Sequence, residues 1–179
     1  MGLDVYAYSN IEKVEDTQFD IDGIPMDPIV QEKMDDGDLV RFLINPDFDG
    51  RQGNISDKHL YKFQEREHLL RIGYITYNRF RRELARLADY PKVEYQGELR
   101  GDASAWDGSC AGMPFEPLIN FSDYDGTIGY EICESLLVDF NNFEEKAKGF
   151  SKEYKFFENY MDLKRAFEIG SKNGAVVFA

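Results

Sequence analysis

The stretch that decides the fold class is Thr76-Tyr-Asn-Arg-Phe-Arg-Arg-Glu-Leu-Ala-Arg-Leu-Ala-Asp89. Tyr77, Phe80, Leu84, Leu87 and Ala88 recur at helical spacing and form one apolar stripe. Thr76 is the expected N-cap and Pro91 the stop signal. Two further helices are expected downstream. After Gly129, Ile132, Leu136, Leu137, Phe140 and Phe143 share a face; after Ser151, Phe157, Tyr160, Met161 and Phe167 point inward.

Around these helices the pattern shifts to strands. Gly2–Ser9 alternates, with Leu3, Val5 and Ala7 against Asp4, Tyr6 and Tyr8. Leu39–Ile44 is rich in β-formers and stops at Asn45-Pro46. His59–Ile72 reads as two strands separated by the charged run Gln64–Glu67, with a helix as the alternative. Leu118–Phe121 is a short strand candidate, and Ala175–Phe178 an edge strand docked at the end of the chain. The expected architecture is one α+β domain over residues 1–179, a small, mainly antiparallel sheet packed against about three helices. Residues 10–38, broken by Gly23, Pro25, Pro28 and Gly37, read as a loop insertion with one helical turn near 28–34. Residues 94–112 read as a second insertion.

Composition narrows the function classes. Among 179 residues there are 14 Phe and 11 Tyr, ample for a packed core, which excludes disorder of the whole chain. The net charge of -13 argues against direct binding to the nucleic-acid backbone, which needs positive surface. No apolar run is long enough to span a membrane, and Met1-Gly-Leu-Asp-Val-Tyr6 lacks the features of a secretory signal. Cys110 and Cys133 are too few for a disulfide framework, so both are read as reduced thiols of a cytoplasmic protein, with Cys133 packing as a small hydrophobe.

The charge is unevenly spread. Residues 1–50 carry 13 acids and 3 bases, residues 51–100 carry 7 and 11, and residues 101–179 carry 14 and 7. Either the basic middle neutralises the acidic ends within the fold, or an acidic face remains for a basic partner.

Three constellations carry candidate chemistry. On the helix, Tyr77, Arg79, Arg81 and Arg82 form a candidate anion-binding set, because a guanidinium offers planar paired donors to phosphate or carboxylate. The alternative pairs these arginines with acids of the first fifty residues and Arg81 with a buried Asp. The block Asn120-Phe-Ser122-Asp123-Tyr-Asp125-Gly126-Thr-Ile-Gly129 supplies a candidate polar pocket from Ser122, Asp123, Asp125 and Gly126. Its Asp-x-Asp-Gly-Thr core matches the first motif of haloacid-dehalogenase-like phosphatases, but too little chain follows, without βα alternation, to supply the other motifs. Asn45-Pro-Asp47-Phe-Asp49-Gly50 starts like a calcium loop, yet Ser56 stands where the bidentate Glu belongs. No metal or cofactor is assigned, a divalent cation at Asp123 and Asp125 being the weak alternative to helix capping. Asp4, the third element, sits alone on an apolar strand, and a partner is expected for it in Arg81. His59 and His68 read as surface histidines.

Met1-Gly-Leu-Asp-Val-Tyr6, Tyr74-x-x-Tyr-Asn-Arg-Phe-Arg-Arg-Glu-Leu-Ala85 and Pro114-Phe-x-x-Leu-Ile-Asn-Phe-Ser-Asp-x-Asp-Gly-x-Ile-Gly129 occur here in order. In these blocks the chain resembles a family of small bacterial and bacteriophage proteins. The resemblance implies an intracellular protein, brings no reaction with it, and implies that Asp4, Tyr77, Arg81, Ser122, Asp123 and Gly126 converge. Two functions are then open. The first is an acidic binding protein for a basic protein partner, in a phage setting an inhibitor of a host defence nuclease. The second is a small enzyme or ligand-binding protein with an Asp/Tyr/Arg pocket for a phosphate-bearing small molecule.

Overall fold

Residues Ala175–Phe178 lie inside the main sheet, paired on both sides, and not at its rim. The computed structural model describes residues 2–15 and 17–179. In chain order the elements are β1 (Leu3–Ser9), β2 (Glu12–Val14), α1 (Pro28–Asp35), β3 (Leu39–Val40), β4 (Leu60–Lys62) and β5 (Glu65–Ile72). There follow α2 (Tyr74–Leu87), β6 (Val93–Tyr95), β7 (Glu98–Arg100), α3 (Ala103–Trp106) and α4 (Glu116–Ile119). The chain closes with β8 (Gly126–Gly129), α5 (Tyr130–Ala147), α6 (Phe156–Gly170) and β9 (Ala175–Phe178). The fold is α+β. The main sheet runs β5-β1-β9-β8, every pair antiparallel; β2-β4-β3 form a second sheet, and β6-β7 a hairpin.

The three long helices α2, α5 and α6 share one core with the inward side of the main sheet, where Leu3, Val5, Ile128, Val176 and Phe178 meet Tyr77, Phe80, Leu136, Phe140 and Phe167. Each buried aromatic ring removes on the order of 150–250 Å² from water, so this face carries most of the hydrophobic stabilisation. The opposite side of the sheet is covered only at one end. There Tyr8, Ala175 and Val177 pack on Phe42 and Tyr61 of the smaller sheet and its connection.

Several sequence expectations need correction. Helix α2 starts at Tyr74 with Gly73 as its extended N-cap, so Thr76 lies inside the first turn and caps nothing. The Gly73 carbonyl accepts the first helical bond, from the Tyr77 amide. Leu118–Phe121 is no strand: Leu118 and Ile119 belong to the short helix α4, where Pro117 sits in the first turn that its fixed φ suits. Met161 is 37% exposed and not turned fully inward, because it lies one residue, and so about 100°, beyond the buried Tyr160 on the helix. Ala175–Phe178 is an interior strand because both its faces and both its edges are buried, and an unbroken apolar run is the pattern of such a strand. Strand β8, between two glycines, has no sequence signal of its own. Among the described residues, no helix is long and apolar enough to cross a membrane.

Candidate functional site

Helix α2 presents Tyr77, Asn78 and Arg81 to the loop that links α4 to β8. Arg81 is buried, and a buried guanidinium must have its donors satisfied. Its Nη1 donates to the main-chain carbonyls of Phe121 and, at 3.3 Å, of Ile119; its Nη2 donates to Asn78 Oδ1. These carbonyls emerge from the end of α4, where helix geometry leaves acceptors without partners. Asn78 in turn donates to Asp123 Oδ2 at 2.7 Å, and that carboxylate lies 3.8 Å from Arg81 Nη2. Tyr77 is fully buried beneath the Arg81 guanidinium, 4.9 Å from ring to cation, and 6.0 Å from the Phe178 ring. Burial pushes its phenol far above the usual range. Among the described residues its hydroxyl has no hydrogen-bond partner.

The loop itself is self-supporting. Ser122 Oγ accepts from the amides of Tyr124 and Asp125, both at 3.1 Å. Asn45 Nδ2 donates to the carbonyl and to Oδ1 of Asp125 at 3.1 and 3.0 Å, tying in the 44–48 segment. Gly126 has φ +141°, and a Cβ there would meet Phe121 Cζ at 2.8 Å, so the position admits no side chain without movement. Thr127 Oγ1 donates to the Leu43 carbonyl at 2.6 Å. An open cavity of about 470 Å³ lies between the two segments, walled by Asn45, Asp47, Phe48, Asp123, Tyr124 and Asp125, among others.

The structure therefore joins Tyr77, Arg81, Ser122, Asp123, Asp125 and Gly126 in one region and leaves Asp4 out. Asp4 lies on the far side of the main sheet, 2.8 Å from His68 Nε2 and 3.9 Å from Arg71 Nε, so the expected Asp4–Arg81 pair does not form. Alternation along β1 turns Asp4 away from the helices, which put Arg81 on the other side. The helix arginines also diverge. Arg82 faces Glu98 at 3.8 Å and Asp102 at 3.7 Å, next to the β6–β7 hairpin, while Arg79 is exposed beside Glu83 and Glu153. None of these pairs uses the first fifty residues. The cavity wall carries three carboxylates, and the Arg81 guanidinium is engaged by backbone, so its field opposes an anion. Among the described residues no group of three His, Cys, Asp or Glu side chains is placed to hold a metal ion. Asn45 and Asn78 hold the loop through their side-chain amides, a role the sequence does not signal: an Asn before Pro46 marks only a turn.

The second feature is the segment from Gln18 to Asp38. Phe19 bridges Pro25, Asp20 Oδ1 accepts from the amides of Asp22 and Ile24 at 2.9 and 2.8 Å, and Asp27 caps α1 by accepting from the Ile29 amide. Helix α1 buries no residue. Arg41 pins the arm: Nη1 donates to the Gly23 carbonyl at 2.7 Å, Nε to the Asp57 carbonyl at 2.6 Å, and the guanidinium lies over Phe19. Asp20, Asp22, Asp27, Glu32, Asp35, Asp36 and Asp38 are all exposed, and none makes an ion pair among the described residues. Ile21, Ile24, Met26 and Ile29 are exposed among them, Ile21 completely. Several bases of the middle of the chain are engaged elsewhere, with Arg51 on Glu116, Arg86 on Glu83 and Arg100 on Asp102.

No family model, no curated protein and no solved structure matches this chain.

Proposed function

We propose that the protein is an acidic binding protein that engages a basic protein partner through the arm spanning residues 18–38. One observation carries this reading: seven exposed carboxylates lie among four exposed apolar side chains, with no cation paired to them among the described residues. A solvated acidic face kept for solubility needs no isoleucines. Apolar groups exposed together are a feature of contact surfaces, and carboxylates around them select a partner of opposite potential and speed its approach. The partner's surface is therefore basic with apolar gaps, as on a protein that binds nucleic acid. A defence nuclease met by a phage-type inhibitor is one such partner.

The test is a pull-down with the full chain as bait, beside a variant carrying Asp22→Asn, Asp35→Asn, Asp36→Asn and Asp38→Asn. The expected result is a basic protein retained by the wild type, released as salt is raised, and lost from the variant. Retention of no basic protein at low or physiological salt, or equal retention by the variant, rejects the reading.

A further inference from the structure

The outer side of the main sheet bears a second surface, opposite in sign to the arm. Strand β1 pairs β5 with a register shift between Val5 and Tyr6, so that Leu69 is the extra residue of a bulge. Arg71 and His68 are three residues apart, and regular alternation would send them to opposite faces. The bulge restores them to one face and sets three rungs in line: Asp4 opposite Arg71, Tyr6 opposite His68, and Tyr8 opposite Arg66. Leu70 and Ile72 stay turned to the core.

This ladder holds three basic groups and a single carboxylate in a chain of net charge -13. His68 stacks on Tyr6 with ring centres 4.7 Å apart and planes 32° from parallel. The Arg66 guanidinium lies 5.0 Å from the Tyr6 ring and 5.9 Å from the Tyr8 ring. Arg66 is exposed and makes no ion pair among the described residues, and the Arg71 side chain is 75% exposed with only the 3.9 Å approach to Asp4. The smaller sheet covers the Tyr8 end and packs on one side of the half-buried Tyr6, leaving the His68 ring and the Asp4 rung accessible.

We infer that this face binds a nucleotide unit, its base laid on the Tyr6–His68 ring pair and its phosphate taken by Arg66 or Arg71. A guanidinium offers paired donors that match a phosphate, and a base stacks on an aromatic ring whatever its identity. Successive rungs are about 7 Å apart, so the two arginines flank the ring pair on either side along the strands. The net-charge argument against nucleic acid applies to the surface as a whole. Local potential decides within a Debye length of about 8 Å at physiological salt, and the acidity elsewhere restricts the ligand to a free nucleotide or a short single strand.

The experiment titrates the full chain with adenosine monophosphate by calorimetry, and with a fluorescein-labelled hexa-adenylate by anisotropy. Saturable binding is expected for at least one probe, weakened about tenfold or more by Arg66→Ala with Arg71→Ala and by Tyr6→Leu. Equal affinity per site for both probes identifies the free nucleotide as the source of the chemistry; binding of the oligomer alone identifies a strand. Neither probe binding, full binding by the arginine double variant, or inorganic phosphate competing as well as the nucleotide overturns the inference. Arg66 and Arg71 are exposed and Tyr6→Leu keeps an apolar side chain against the second cluster, and circular dichroism verifies that the variants are folded.

Discussion

The guanidinium of Arg81 donates to the main-chain carbonyl of Phe121, and through that bond helix α2 holds the loop that leads into β8. The same cation covers the Tyr77 ring and stands beside Asp123. It is a framework group, and its loss leaves the carbonyls of Ile119 and Phe121 buried without a donor.

Replacing Arg81 with Ala is expected to cost about 2–4 kcal/mol, the penalty for stranding buried acceptors. Arg81→Lys recovers little of it, since one ammonium cannot reproduce a planar fork reaching Phe121, Ile119 and Asn78 together. Urea denaturation of both variants checks this, and a near-neutral lysine variant would show that charge alone suffices.

Gly126 and Gly129 predict different failures at the two ends of β8. Gly126→Ala combines a positive φ with contact on the Phe121 ring and is expected to cost about 2 kcal/mol. Gly129 has an ordinary φ of −79°, but a Cβ there would lie 2.4 Å from the Gln52 carbonyl oxygen. Gly129→Ala therefore has to displace the 51–53 turn, whose Arg51 carbonyl accepts from the Gly129 amide. Amide exchange is the discriminating measurement: protection at Gly129 falls in the second variant and is retained in the first.

The arm makes a prediction opposite in sign to that for Arg81. Asp35 and Asp36 lie at the end of α1, where the helix dipole disfavours carboxylates, and neither pairs with a cation among the described residues. Asp35→Asn with Asp36→Asn is expected to raise stability by roughly 0.3–1 kcal/mol per site. A scan of melting temperature at low and high salt measures it, the gain shrinking as salt screens the repulsion. A substitution that stabilises the fold and weakens partner capture separates binding from folding.

Asp139 supplies the pH dependence. Burial raises its carboxyl above the usual aspartate range, partly offset by the Phe115 amide that donates to Oδ2 at 2.8 Å. The native chain thus holds this proton more tightly than the unfolded chain does. Stability from this group falls as pH rises from the unfolded value of about 3.9 through the raised native value, and the deficit persists above it. Asp139→Asn keeps an acceptor for Phe115 and removes the charge. Its melting temperature is expected above the wild type at neutral pH, the two converging at acidic pH where the wild-type group is protonated.

Sequence by itself determined the long helices and the fold class. The stripes Tyr77, Phe80, Leu84 and Leu87 on α2, and Leu136 and Phe140 on α5, are local patterns whose period needs no knowledge of the rest of the chain. It also brought Tyr77 and Arg81 forward in one constellation and Ser122, Asp123, Asp125 and Gly126 in another, which packing joins in one region. Tertiary structure alone decided what each charge meets. Arg81 chose backbone carbonyls over Asp4, Asp4 chose His68, and Arg51, Arg86 and Arg100 paired with acids other than those of the arm. The placement of β9 between β1 and β8, and the bulge that aligns Arg66, His68 and Arg71, belong to the same class of decision. Each is a pairing between residues distant in sequence, selected by burial and register once the layers pack, and periodicity along one segment holds no information about its partner.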